Sequence, residues 1–91
     1  MNERIEHCLY QSGLTAQGCW DELDDYAKQG IEKFAELIVR ECVEICDAKR
    51  AEYTKLSKDA DNFTDKNLWA EGEISAHRIR ISIQEHFGVE E

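Results

Sequence analysis

The chain has 91 residues, of which 42% are hydrophobic and 34% charged, and its formal net charge is −9. This length predicts one domain over residues 1–91 with a thin core, and the negative charge disfavours general binding to nucleic acid or anionic lipid. Because no segment approaches the roughly 20 apolar residues of a membrane span, we predict neither membrane nor direct nucleic-acid partners.

The charge is unevenly distributed along the chain. Residues 1–47 hold 11 acidic and 4 basic side chains, a net charge of −7, whereas residues 48–91 hold 9 and 7, a net charge of −2. An anion-binding site would therefore lie in the second half, where the repulsive background is weaker.

The first predicted helix runs from Glu3 to about Gln11. Asn2 is a favourable N-cap, and apolar side chains recur at helical spacing before a Ser-Gly stop. Residues 12–19 then read as a turn. Residues 20–29 are predicted to be helical, with the acidic run at 21–25 stabilised at a helix start. That run is typical of a solvated helix start, and the alternatives are a DNA-mimic surface or a cation site.

The central helix is predicted from about Gly30 to Leu56. Nine of the thirteen residues from Phe34 to Cys46 are apolar, which is a wider stripe than one face of a surface helix requires. A helix that is apolar on more than one side must be covered on more than one side. We therefore expect a homo-oligomeric helical bundle, with an interface formed by Phe34, Ile38, Val39 and Val43.

Residues 57–64 interrupt the helical pattern, and the last helix is predicted from Asp65 to Phe87 with Thr64 as its N-cap. Gly88 occupies the position of a left-handed C-cap, and Val89 can then fold back onto Ile83. Residues 78–83 alternate like a strand, but nothing else in the chain offers a strand partner. We interpret them as helical, so the predicted fold class is all-α.

Four cysteines are present, and Met1–Arg4 leads directly into the first amphipathic segment without an apolar leader. This predicts a cytoplasmic protein with free thiols. Cys42 and Cys46 lie in the apolar stripe, so we expect buried core thiols. The sequence contains neither CxxC nor HxxxH, and we predict no bound metal.

The most concentrated basic group follows at the middle of the last helix. His77, Arg80 and Gln84 share one helical face at i, i+3 and i+7, and Arg78 points aside. Arginine holds phosphate in two hydrogen bonds, and histidine adds a donor. These residues, with Trp69 as a stacking surface, are the candidate ligand site.

That reading has alternatives. The basic side chains can pair with Glu73 and Glu85 on an exposed face, and tryptophans more often anchor a core or interface. A second position for an anion is the exposed end of the central helix, at Lys49, Arg50 and Tyr53.

Catalysis finds no support in the sequence. It contains no GxSxG motif, no phosphate-binding glycine loop and no cysteine–histidine spacing that indicates a nucleophile. We therefore predict a protein that is not an enzyme and has no cofactor.

The segments FAELIVREC at 34–42 and EHFGV at 85–89 resemble a group of short, uncharacterised tailed-bacteriophage proteins with an FAELIVREC-type helix and an HFGV ending. Both motifs are mostly apolar and indicate shared packing, so no functional residue is carried over. The resemblance implies an accessory protein acting in the cytoplasm of an infected bacterium, by stoichiometric binding to host components.

These observations lead to two functional hypotheses. The first is a non-enzymatic anti-defence protein that sequesters a nucleotide-derived immune signal, of the cyclic dinucleotide or ADP-ribose type, in a helical oligomer. The alternative is an acidic inhibitor that binds a host defence or metabolic protein, for example as a nucleic acid mimic. The net charge of −7 on residues 1–47 motivates this alternative.

Overall fold

The computed structural model describes residues 2–89. Helix α1 spans Glu3–Gln11, a short 3₁₀ turn spans Ala16–Gly18, and helices α2 and α3 span Asp25–Asp59 and Phe63–Phe87. The described residues form no strand, which confirms the all-α prediction and the long central helix. Met1, Glu90 and Glu91, which the predicted domain includes, lie outside the described residues.

Helix α1 begins and ends where the sequence predicts. The Asn2 side chain accepts hydrogen bonds from the backbone N–H groups of Arg4 and Ile5, at 2.8 and 3.3 Å. These bonds satisfy two of the amide groups that a helix start leaves without an intrahelical partner.

The predicted helix at 20–29 begins later than expected. Residues 20–24 form turns, and α2 starts at Asp25 with Asp24 as its N-cap, where Asp24 Oδ1 accepts from Ala27 N at 2.7 Å. An aspartate favours the capping position because its carboxylate replaces a missing backbone acceptor. Part of the acidic run therefore precedes the helix and ends in its cap.

The predicted break at 57–64 is also shorter in the structure. Helix α2 continues to Asp59, and only Ala60, Asp61 and Asn62 separate it from α3. The N-cap of α3 is Asn62 and not Thr64, because Asn62 Oδ1 accepts from Asp65 N at 2.8 Å. The residues of 57–59 have no helix-breaking backbone requirement, so α2 extends through them.

Helices α2 and α3 form an antiparallel hairpin, and the molecule as a whole extends over 61 by 19 by 17 Å. The direction of the hairpin follows from cross-helix contacts that run in opposite order along the two helices, 47 with 80, 50 with 77 and 57 with 66. Residues 78–83 are helical, because α3 is continuous through them.

The far end of the hairpin holds α1. Gly88 adopts the left-handed conformation (φ 63°), and Val89 N donates to Gln84 O at 3.2 Å, as predicted for this ending. Val89 is buried with Ile5 and Val39, and Ile83 packs against this cluster. The C-cap thereby returns the chain onto α1 and α2.

The core is thin. The buried hydrophobic residues of the described chain are Ile5, Val39, Val43, Ala76 and Val89, and Val43 has no exposed surface. Val39 and Val43 are thus covered within the chain itself, and they are not free to contact a second copy as the predicted interface requires. Phe34 and Ile38, the other members of that interface, remain 65% and 48% exposed.

The cysteines are less buried than predicted. All four thiols are free, but Cys42 is exposed and Cys46 only half-buried. The prediction of two buried core thiols is therefore wrong at Cys42, because this side of α2 turns away from α3.

None of the helices in residues 2–89 combines the length and the apolar character that a membrane-spanning helix needs.

Candidate functional site

A row of polar side chains follows one side of the α2–α3 junction. We call it the polar seam; it comprises Asp47, Arg50 and Thr54 from α2 and Glu73, His77, Arg80 and Gln84 from α3. Both helices contribute because they run antiparallel, so that residue numbers increase along α2 in the direction in which they decrease along α3. The seam contains three of the five predicted ligand residues, namely His77, Arg80 and Gln84.

Arg80 is held firmly in the seam. Its Nε lies 2.7 Å from Asp47 Oδ1, and its Nη1 donates to Gln84 Oε1 at 3.0 Å. The Arg80 side chain is only 22% exposed. An ion pair at this short distance in a partly buried place is stronger than an exposed one, so Arg80 acts mainly as a cross-helix tie.

Arg50 is held more loosely. Its Nε lies 3.7 Å from Glu73 Oε1, which is beyond hydrogen-bond distance, and its Nη1 lies 3.1 Å from His77 Nδ1. Since arginine has no acceptor, Arg50 donates and His77 Nδ1 accepts, which assigns the ring proton of His77 to Nε2. Arg50 is 45% exposed and can exchange its partners at small cost.

Beside Arg50 an open groove of about 600 Å³ extends towards the hairpin turn. Its cationic lining residues are Arg50, Lys55 and Lys58, and its remaining lining residues are Asp47, Ala51, Thr54, Asp59 and Glu73. Three positive and three negative side chains make its formal charge zero in a chain of −9. An anion in the groove therefore meets less electrostatic repulsion than the net charge of the whole chain would suggest.

The sequence signal for this groove was present but incomplete. The sequence predicts a second anion position at Lys49, Arg50 and Tyr53, whereas Lys55 and Lys58 are not part of that prediction. The spacing of Lys58 from Arg50 carries a signal, since Arg50, Thr54 and Lys58 recur every four residues on one side of a helix, whereas Lys55 does not share this spacing. The contribution of Glu73 and His77 depends on the helix pairing and is not encoded by local spacing.

Two predicted ligand residues lie away from the seam. Arg78 is exposed and lines a shallow cavity of about 440 Å³ with Ile79, Ser82 and His86. Trp69 stacks on Tyr53, with ring centroids 5.9 Å apart and an 18° interplanar angle. Trp69 precedes His77 by eight residues, or roughly 12 Å of helix, so the two side chains do not converge on one small ligand.

Within residues 2–89 no group of three or more histidine, cysteine, aspartate or glutamate side chains is arranged to hold a metal ion. The polar seam is thus described by its ion pairs, hydrogen bonds and groove alone. No family model, curated protein or solved structure matches the chain.

Proposed function

We propose that this protein is a non-enzymatic, self-associating phage accessory protein that sequesters a nucleotide-derived host immune signal in the host cytoplasm. The observation that carries the proposal is the open groove of about 600 Å³ beside Arg50, which is lined by three cationic side chains and Thr54 together with three carboxylates. This volume falls in the range of small-molecule sites, roughly 300–1,000 Å³. The resemblance of residues 34–42 and 85–89 to phage proteins supports the biological setting.

The mixed charge of the groove suits a ligand that carries both phosphate and hydroxyl groups. Arg50, Lys55 and Lys58 would bind phosphate oxygens, with the arginine able to form two parallel hydrogen bonds. Asp47 and Glu73 would accept from ribose hydroxyls or base amino groups. A cyclic dinucleotide or an ADP-ribose-type compound combines these features.

Arg50 is the expected principal phosphate ligand, and Arg80 is not. A phosphate at Arg50 displaces only the loose contact with Glu73 at 3.7 Å, whereas at Arg80 it must compete with the Asp47 pair at 2.7 Å. His77 follows Arg50 through their 3.1 Å contact, so it stays part of the proposed site. Arg78 and Trp69 have no place in it, since both lie off the seam.

The test is calorimetric titration of the protein with cyclic dinucleotides and ADP-ribose-type compounds. Arg50→Ala is expected to weaken binding by about 1–3 kcal/mol, a loss of roughly 5- to 150-fold, because it removes hydrogen bonds to a charged group. Arg78→Ala is the matched control, because it also removes an arginine, but one that lies on α3 outside the groove. This variant should leave affinity unchanged. Absence of heat with every compound, or equal losses in both variants, would contradict the proposal.

A second candidate function is an acidic inhibitor of a host protein, for example one that acts as a nucleic acid mimic. It is favoured by the acidic run before and at the start of α2, where Asp21, Glu22, Asp24 and Asp25 are all exposed. If none of the titrations shows binding, a pull-down from host lysate should compare the wild type with a variant in which these four acidic residues are replaced by asparagine or glutamine. A host protein retained equally by both variants would rule out this acidic surface.

A further inference from the structure

The contact between Arg50 and His77 exists only while the histidine is neutral. Arg50 Nη1 lies 3.1 Å from His77 Nδ1, and a guanidinium has hydrogens to donate but no acceptor. The contact therefore requires a lone pair on Nδ1. A protonated ring carries hydrogens on both nitrogens, so the hydrogen bond and the positive charge on His77 exclude one another. Histidine is the side chain that ordinarily gains or loses its charge between pH 5 and 8.

The charged neighbours of His77 in the polar seam come from both helices of the hairpin. On α2 they are Asp47 and Arg50, and on α3 they are Glu73 and Arg80, which lie about one helical turn to either side of the histidine. The two positive and two negative side chains balance one another in formal charge. Arg80 is engaged by Asp47 at 2.7 Å, whereas Arg50 lies 3.7 Å from Glu73. Arg50 is therefore the neighbour that a small rearrangement can release.

The release of Arg50 leaves a carboxylate for the protonated ring. Glu73 precedes His77 by four residues, a spacing that brings two side chains of one helix together. The loose pair of Arg50 with Glu73 is partly exposed, so its loss costs little. Arg50 also lines the groove, so it can turn towards a ligand there without leaving its place on α2.

We propose that His77 couples the binding of an oxyanion in the groove to the uptake of a proton. Without the anion, neutral His77 holds Arg50 through Nδ1. With the anion on Arg50, His77 is protonated and pairs with Glu73. This inference rests on the site of the proposed function and adds the proton as a second ligand of that site. His77 is thus a positioning residue that acts on phosphate-bearing ligands through Arg50.

The direction of the pH dependence follows from the charges. An anion on Arg50 neutralises the cation that opposes a positive charge on His77, and the protonated ring in turn attracts the anion. Proton and anion therefore strengthen each other's binding, and this coupling is reciprocal. Affinity for the anion should rise as the pH falls from 8 to 6. One additional unit charge at close range in water strengthens binding by about 5-fold.

The test is the affinity for sulfate at pH 8 and at pH 6, measured by NMR titration at constant ionic strength. Sulfate presents tetrahedral oxygens as phosphate does, and it remains a dianion at both pH values, so the ligand itself does not titrate. The wild type should bind sulfate about 5-fold more tightly at pH 6. His77→Asn should bind sulfate equally at both pH values, because an asparagine oxygen can accept from Arg50 but does not titrate.

His86→Asn is the matched control for this substitution. His86 is exposed on the same helix, where its ring contacts Phe87 and lies outside the groove. The variant should therefore keep the pH dependence of the wild type. Circular dichroism establishes that both variants remain helical.

A second readout needs no ligand. Nitrogen NMR of the imidazole ring shows which ring nitrogen carries the proton in the neutral histidine. At pH 8 His77 should carry it almost wholly on Nε2, and the fraction on Nδ1 should rise in Arg50→Ala, which removes the donor to Nδ1. An identical His77 spectrum in Arg50→Ala would show that the contact does not hold the ring, and the inference would then be wrong.

The sulfate titrations separate this inference from the proposed function. Equal affinity of the wild type at both pH values, or a pH dependence that persists in His77→Asn, would overturn the coupling through His77. Absence of sulfate binding at both pH values would overturn it as well. The proposed function fails on a different result, namely the absence of heat with every cyclic dinucleotide and ADP-ribose-type compound, and that measurement requires no change of pH.

Discussion

At the scale of single residues, the contact between Gly72 and Tyr53 decides how closely α2 and α3 approach. A Cβ added at Gly72 would lie 3.1–3.2 Å from three ring carbons of Tyr53, so the ring rests directly on the backbone of α3. The Tyr53 ring also stacks on Trp69, with ring centroids 5.9 Å apart. A glycine within a helix costs up to about 1 kcal/mol relative to alanine, and here the cost is offset by the aromatic packing it permits.

We expect Gly72→Ala to raise the free energy of unfolding less in the wild type than in a Tyr53→Ala background. Alanine gains helix propensity in both, but in the wild type its methyl group must displace the Tyr53 ring by a few tenths of an ångström. Urea unfolding of the four variants of this double-mutant cycle should give a coupling of at least about 0.5 kcal/mol. Additive effects would show that the ring moves aside without cost.

At the scale of helices, the caps define where each element begins and ends. Asn62 holds the first turn of α3 through two bonds, since its Oδ1 accepts from Asp65 N at 2.8 Å and its Nδ2 donates to Asp65 Oδ2 at 2.9 Å. With only three residues between α2 and α3, this cap also fixes the direction in which the hairpin returns. The turn is therefore specified by side-chain hydrogen bonds and not by proline or glycine.

Asn62→Ala should lower the free energy of unfolding by about 1 kcal/mol, because it leaves an N-terminal amide of α3 without its acceptor. Asn67→Ala is the matched control, since Asn67 is exposed inside α3, where alanine is the better helix former. Thermal unfolding followed by circular dichroism compares the two. Equal destabilisation, or a larger loss with Thr64→Ala, would contradict the assignment of the cap.

The positions of the helices were largely predictable from the sequence, whereas the packing of α3 on α2 was not. Apolar spacing and caps such as Asn2 and Gly88 are local signals, and they located α1 and the end of α3. The burial of Val39 and Val43 within the chain required knowing that α3 packs on α2, because an apolar stripe does not state whether its cover is internal or a second copy. The sequence shows the wide stripe, but it does not show which of its residues α3 covers.

The candidate site, too, was predictable only where it depends on spacing within one helix. Helical spacing alone placed His77, Arg80 and Gln84 on one side of α3, and the structure keeps them together. Pairing of Arg80 with Asp47 and of His77 with Arg50 joins residues 33 and 27 positions apart, which no local pattern encodes. That Lys55 and Lys58 line a groove depends in addition on helix pairing, since Glu73 of α3 forms part of the lining.

At the scale of the whole molecule, the net charge of −9 opposes the proposed self-association, while exposed aliphatic side chains such as Ile38, Ile45 and Ile79 would favour it. Every carboxylate outside the contact still contributes long-range repulsion between two copies. Salt shortens the range of that repulsion, since the Debye length falls from about 10 Å at 0.1 M to about 3 Å at 1 M. The same increase in salt concentration does little to weaken an apolar contact.

Self-association should therefore strengthen as the salt concentration rises from 0.1 to 1 M. Sedimentation equilibrium at both concentrations should give a dissociation constant that falls several-fold. A dissociation constant that instead rises with salt would indicate that copies meet through attracting charges, and the polar seam would then be the better candidate for the contact. Repeating the measurement with Ile45→Glu separates the apolar contribution from the screening effect.

The position of Gly88 against Asn2 brings the two ends of the described chain to one corner of the rod. Ile5 and Val89 share a cluster with Val39 there, whereas Lys58 of the groove follows Val39 by 19 residues, or roughly 28 Å of helix. The topology is thus that of a nearly closed ring, opened at the corner remote from the groove. A short linker could join the ends and new ones could be cut in the turn at 60–62, giving a circular permutant that retains α1, α2 and α3. For the same reason, a fusion partner attached at either end would emerge away from the groove and leave its mouth unobstructed.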